Sequence, residues 1–209
     1  MVACRLPVSA RRMSPQDNGT ASQRAECTMQ AQDIEDYLTD LGDELQTRGL
    51  AQPLRILIVG GAYMLIEGYS RPPTQDIDVL LRDIDDPTTS PTYPVFRAAI
   101  LTVANRRLLP PTWINDVIGD ALRAAGTIPS GTLWRTFRML EAYLPPSDYM
   151  LALKLFAGRP KDRQDIMNLS QHLGIRSRDE AQEVIDRYIP SQQLQQLNHV
   201  GDILDELYP

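Results

Sequence analysis

Asp76 and Asp78 stand two apart in TQDIDVLL, residues 74–81, a stretch whose branched apolar content reads as a strand. Alternate side chains of a strand share a face, so the two carboxylates point together while Ile77 and Val79 turn to the core. Carboxylates about 7 Å apart along the backbone can converge on a divalent ion or a pair of ions. Next to a buried strand the pair is costly without a cation. An isolated Asp-x-Asp also fits a solvated strand end, so the flanking residues carry the distinction.

Gly60 and Gly61 stand where LRILIV, residues 54–59, passes straight into AYMLIEGY. The first run is apolar and of strand length; the second reads as a short apolar helix. Without side chains, backbone N–H groups can approach a ligand, and a helix N-terminus there favours phosphate. The same pair also serves a tight strand-to-helix turn at positive φ.

Of the 21 basic residues, two are lysines, Lys154 and Lys161, seven positions apart. Lysine is a rotatable point charge and arginine a planar fork, so the two are not interchangeable in a tight site. Lys154 lies in a helix that is apolar on nearly every side, with Met150, Leu151, Leu153, Leu155 and Phe156, and therefore needs a partner or a cleft. Gly158 and Pro160 end that helix, and Asp162 and Asp165 follow on one face of the next. Two readings stand here. Lys154 and Asp165 form a buried ion pair joining two helices, or Lys154 neutralises phosphate charge while Asp165 orients it or contacts metal.

The elements that must position these groups are legible in outline. Residues 1–30 contain no aromatic residue and are rich in Ser, Arg, Gln, Pro and Thr, which predicts a disordered tail. A helix follows, with Ile34, Tyr37, Leu38, Leu41 and Leu45 at helical spacing. After the strands over 54–59 and 74–81 come a helix over 94–107, WIND (113–116), and a helix through Ala125. TLWRTFRMLEAYL (132–144) reads as one strand ended by Pro145 and Pro146. Beyond Ser147 the pattern is helical over 148–157, 162–173, 178–188 and 191–207. The expected fold is α+β: a mixed sheet flanked by helices over 31–146, then a C-terminal helical region, 147–209, that completes the cleft.

Composition narrows the function. Net charge is -6, which argues against a module binding nucleic acid through an overall basic surface. It leaves room for a local patch, with Arg106, Arg107, Arg135 and Arg138 as candidate RNA contacts. Cys4 and Cys27 lack partners at ligand spacing, so neither structural zinc nor a disulfide framework is expected. His172 and His199 are solitary and read as surface residues. No apolar run approaches the roughly 18 residues of a membrane span, and no apolar segment follows the N-terminal arginines, so a cytoplasmic location is expected.

ILIVGGAYMLIEGYSRPPTQDIDVLL resembles the nucleotidyltransferase superfamily signature, in which a glycine pair at a strand–helix junction precedes a strand bearing Asp-x-Asp. Asp76 follows Gly61 by fifteen positions, enough for one helix and two short connections. Arg71 and Thr74 match the RxxTxDID form of bacterial toxin and abortive-infection nucleotidyltransferase-like families. KLxAGRxKDxxD, from Lys154 to Asp165, is similar to the second motif of the same families. WIND resembles a further recurring element of the related group of nucleotidyltransferases of unknown function. The resemblance covers roughly residues 54–170. It implies that Asp76 and Asp78 bind metal, that Lys154 and Asp165 join the active site, and that Gly60, Gly61, Arg71, Thr74 and Lys161 meet the nucleotide. Many active members carry a third carboxylate on a later strand; Glu141 is the first candidate here and Asp116 the second.

The expected activity is Mg²⁺-dependent transfer of NMP from an NTP to an acceptor hydroxyl, on an RNA (tRNA) end or a protein, in a toxin with a cognate antitoxin. One alternative keeps the fold as a non-catalytic nucleotide- or partner-binding module. Another is a structural α/β domain with an accidental acidic strand.

Overall fold

The computed structural model describes residues 28–208. Its elements run α1 (Ala31–Thr47), β1 (Leu54–Val59), α2 (Gly60–Ile66), β2 (Ile77–Leu81), α3 (Thr92–Arg107), β3 (Ile114–Asn115), α4 (Ile118–Ala125), β4 (Thr132–Phe137), β5 (Leu140–Leu144), α5 (Ser147–Ala157), a 3-10 turn (Pro160–Asp162), α6 (Arg163–Leu173), α7 (Arg178–Tyr188), α8 (Gln192–Leu197) and α9 (Val200–Leu207). The five strands form one mixed sheet in the order β3-β2-β1-β5-β4. β1 is central, antiparallel to β2 and parallel to β5. The expected α+β architecture is the one observed.

Burial explains the central strand. Ile56, Leu57, Ile58 and Val59 are at most 1% exposed, because both faces of the sheet are covered. On one face, Arg135 of β4 lies opposite Ala142 and reaches Glu35 of α1 at 2.5 Å. On the other, Gly131 sits so close to Leu57 that a Cβ there would lie 2.6 Å from its Cδ1. α1 packs on α3, and Trp113 is sealed between them, edge-on to Tyr37 and donating its Nε1–H to the Ile100 carbonyl at 3.2 Å.

Four expected boundaries shift. Residues 132–144 form a hairpin, not one strand, turning at Arg138 and Met139. Arg138 holds φ 55, a place that Gly or Asn ordinarily takes, so no composition signal marked the turn. The last helix divides at His199, which adopts φ 53. Regular β2 begins at Ile77, and Thr74 instead forms an isolated antiparallel bridge with Met29. Met29 is 1% exposed and belongs to the core, so it is not part of the disordered tail expected over residues 1–30; residues 1–27 lie outside the described residues. The helical region does start at Ser147, and α5 packs against α6, α7 and α9.

Candidate functional site

The antiparallel register of β1 and β2 sets Asp78 directly opposite Val59, and the parallel register of β2 and β3 sets it opposite Asn115. Directly paired residues share a face, so Asp78 projects beside the end of β1, where the chain turns into α2. Gly60 makes that turn at φ 68, and a Cβ on it would lie 2.5 Å from Asp78 Oδ2. A Cβ on Gly61 would lie 2.6 Å from Thr74 Oγ1 and 3.0 Å from Arg71 Nη1. A side chain on Gly60 would displace the Asp78 carboxylate and one on Gly61 the Thr74 hydroxyl, and Gly60 is favoured by its left-handed backbone as well. The Thr74 hydroxyl donates to the Asp76 carbonyl at 3.1 Å, fixing the bend that leads into β2. Asp76 occupies the residue just before the strand and is half-buried.

Gly60→Ala is expected to destabilise the protein by at least the 1–2 kcal/mol of a left-handed alanine and to displace the Asp78 carboxylate. Thermal melts read the first effect and Mg²⁺ binding the second. Full stability with unchanged Mg²⁺ binding would mean that the close approach is not needed.

Burial pushes the Asp78 carboxyl above its ordinary value, and the neighbouring charge of Asp76 pushes it further. Arg159, Lys154 and Lys161 act in the opposite direction without cancelling the rise. One carboxylate held at a cost beside a second, with three cations within electrostatic reach, is an arrangement that a hard cation relieves. The donor set fits Mg²⁺, which is commonly held by one or two carboxylates and completes its shell with phosphate oxygens and water. Among the described residues no three His, Cys, Asp or Glu side chains converge on a common metal position.

Opposite this pair lies a chain of ion pairs. Lys154 is 3% exposed, and its Nζ donates to Asp162 Oδ1 at 2.5 Å and Asp165 Oδ2 at 2.7 Å. Arg71 Nη1 reaches the same Asp165 oxygen at 3.0 Å, and Arg159 Nε reaches Asp162 Oδ2 at 2.6 Å. Burial pushes the Asp162 carboxyl up, but Lys154 and Arg159 outweigh it and hold it below its ordinary value. Three cations thus share two carboxylates, leaving net positive charge facing Asp76 and Asp78. The lysine–aspartate ion pair expected from sequence is present, enlarged by Asp162. Lys161 is exposed and makes no ion pair among the described residues.

The structure brings Asp78, Gly60, Gly61, Arg71 and Thr74 together, with Asp76 just before β2 and Lys154, Asp165 and Lys161 on the helical side. It does not bring Glu141 there. Glu141 pairs in register with Arg55, near the start of β1, and accepts from the Tyr143 hydroxyl at 3.0 Å. Four residue steps of β1 lead from Arg55 to Val59, about 13 Å of strand. Asp116 pairs instead with Arg97 at 3.5 Å. The side chain beside Asp78 is Asn115, whose Nδ2 points to Asp78 Oδ1 at 3.4 Å while its Oδ1 accepts from the Val117 N–H at 3.1 Å. Asn115, Arg159 and Asp162 belong to the site although only the WIND and KLxAGRxKDxxD patterns pointed near them.

The candidate RNA arginines are engaged elsewhere. Arg106 pairs with Glu44 at 2.9 Å, Arg107 with Asp40 at 2.6 Å, Arg135 with Glu35 at 2.5 Å and Arg138 with Asp43 at 3.3 Å. All four partners lie on α1, so its acidic run neutralises this side of the molecule.

No family model, no curated protein and no solved structure matches the chain. Among the described residues no helix is long and apolar enough to cross a membrane.

Proposed function

We propose that the protein is a cytoplasmic, divalent-metal-dependent nucleotidyltransferase that moves NMP from an NTP to an acceptor hydroxyl. The observation that carries this reading is the apposition of Asp78 and Gly60 at a strand–helix turn, with Asp76 beside it and Arg159, Lys154 and Lys161 acting on its charge. Asp76 and Asp78 would hold the ion, Mg²⁺ or Mn²⁺. The chemistry such an ion supplies is neutralisation of charge on the phosphate oxygens.

The chain's own groups account for the remainder. The side-chain-free Gly60–Gly61 turn lets the phosphates approach the backbone. Lys161, exposed and rotatable, meets the leaving pyrophosphate, while the excess positive charge of the Lys154 network favours a triphosphate facing it. The acceptor oxygen forms a bond to the α-phosphorus, the bond to the β-phosphate oxygen breaks, pyrophosphate leaves, and the hydroxyl proton passes to solvent. Asn115 carries no base of its own, so it orients Asp78 rather than removing that proton. An RNA (tRNA) end or a protein hydroxyl is the acceptor proposed, in a toxin held by a cognate antitoxin.

A second reading, a non-catalytic nucleotide- or partner-binding module, is favoured by the displacement of Glu141 from Asp78 and by the engagement of Lys154 with two aspartates. Transfer of α-labelled NTPs with Mg²⁺ to total bacterial RNA and to soluble protein separates the two. Label with the native chain, absent with Asp76→Asn/Asp78→Asn, is the expected result. Folded protein that transfers no label from any NTP would favour the binding module, and equal label in both proteins would remove the two aspartates from the site.

A further inference from the structure

A cleft of about 610 Å³ opens beside the Gly60 turn, between α2, the start of β4 and the segment joining β5 to α5. Its volume is that of an ordinary small-molecule site. Three features tie it to Asp78. Tyr63, on its wall, follows Gly60 by about one helical turn. The chain leaves β5 at Leu144, one residue past the Tyr143–Leu57 pair, on the side of β1 away from β2 and Asp78. Gly131, another lining residue, rests on Leu57, two residues before Val59 and on the same sheet face as Asp78. The cleft and the carboxylates thus flank one turn.

Its lining selects what it can hold. Glu67, exposed at the rim, is the one charged lining residue. The two guanidinium groups at its edge are already engaged, Arg82 with the Ser130 carbonyl and Arg135 with Glu35, whereas the cations that act on Asp78 are Arg159, Lys154 and Lys161. Trp134 offers a half-buried indole, braced edge-on by Phe137 at 5.7 Å and by the Arg135 guanidinium 5.4 Å from its ring centre. Hydroxyls of Ser130, Thr132 and Ser147 stand among the apolar groups. The Tyr63 phenol is already engaged with Ser147 Oγ at 3.1 Å, which holds the wall between α2 and α5 in place. A neutral, flat group with polar edges fits such a lining, and a phosphodiester backbone does not.

We propose that this cleft seats the nucleobase of the nucleotide whose phosphates meet the Gly60 turn, with Trp134 as the stacking surface; the proposal rests on the nucleotidyltransferase reading above. The base then lies on the β5 side of β1 and the carboxylates on the β2 side, so one nucleotide spans the turn. Stacking on a tryptophan accepts any base face, and the hydroxyl-bearing rim supplies the edge contacts that discriminate among bases.

Calorimetric titration of the full chain with each of the four NTPs and with inorganic tripolyphosphate, all with Mg²⁺, tests the proposal. At least one NTP is expected to bind about tenfold or more tightly than tripolyphosphate. Trp134→Ala should bring that NTP to the affinity of tripolyphosphate and leave tripolyphosphate itself unchanged, while Trp134→Phe keeps most of the difference. Equal binding of NTPs and tripolyphosphate to the native chain would overturn the base site and leave the phosphate and metal reading standing. Equal weakening of both ligands by Trp134→Ala would make Trp134 structural and overturn the proposal. Binding of neither ligand to the native chain would overturn both readings.

Discussion

Asp78→Asn is expected to lower nucleotidyl transfer about a thousandfold, equivalent to roughly 4 kcal/mol of lost transition-state stabilisation, while raising the melting temperature of metal-free protein. The two effects have one cause. Burial and the charge of Asp76 hold the Asp78 carboxyl above its ordinary value of 3.8 in the folded protein. A group whose folded value is raised contributes stability below its unfolded value and loses it as pH rises through the folded value. At neutral pH the native chain therefore carries an ionised Asp78 at a cost that Asn does not incur. The melting difference between native and variant should vanish near pH 3.5 and reach its plateau by neutral pH, in the presence of a chelator. Adding Mg²⁺ should stabilise the native chain and leave the variant unmoved, because binding to the folded state alone shifts its stability by mass action. Melting curves across pH, with and without Mg²⁺, check all of this. A variant that melts lower than native in chelator would show that the carboxylate is not strained. A native chain indifferent to Mg²⁺ would leave an acidic strand without a metal role.

Lys154→Met should be the most destabilising single change at the site. Its ammonium is buried between Asp162 Oδ1 and Asp165 Oδ2, and removing it leaves two buried carboxylates with one arginine each, Arg159 and Arg71. Breaking a buried pair by deleting one partner costs about 3–5 kcal/mol, which for a chain of this size lowers the melting temperature by about 10 °C. Lys154→Met combined with Asp162→Asn and Asp165→Asn removes the unpaired charges and should recover much of the loss, since a buried ionic cluster replaced as a unit is often close to neutral. Thermal melts of the single and triple variants decide the matter. A single variant that melts within 2–3 °C of native, about 1 kcal/mol for this length, would mean that water already relieves the charges. The triple variant also separates architecture from ligand binding: stable protein with weakened tripolyphosphate affinity assigns the Lys154 charge to the phosphates as well as to the helices.

The residues themselves determined much of the site. The strand–Gly–Gly–helix junction, the acidic strand after it and the Lys154-to-Asp165 segment are local patterns, and local patterns survive without tertiary information. β1, α2 and the helices from α5 to α7 fall where hydrophobic period and caps put them, because each buries a face that its own spacing defines. The 132–144 hairpin escaped because its turn carries Arg138 rather than glycine, and Met29 escaped because one buried methionine has no period. Only the tertiary structure decided which carboxylates meet. Glu141 and Asp116 are carboxylates as Asp78 is, and their separation from it follows from strand register and order, which connect residues tens of positions apart. The pairing of β2 with β3 set Asn115 beside Asp78, and the fold of α1 across the sheet consumed the arginines that the chain alone left as an RNA surface. Groupings of residues near one another in the chain were readable; groupings that depend on which strand lies beside which were not, because register is fixed by burial over the whole sheet.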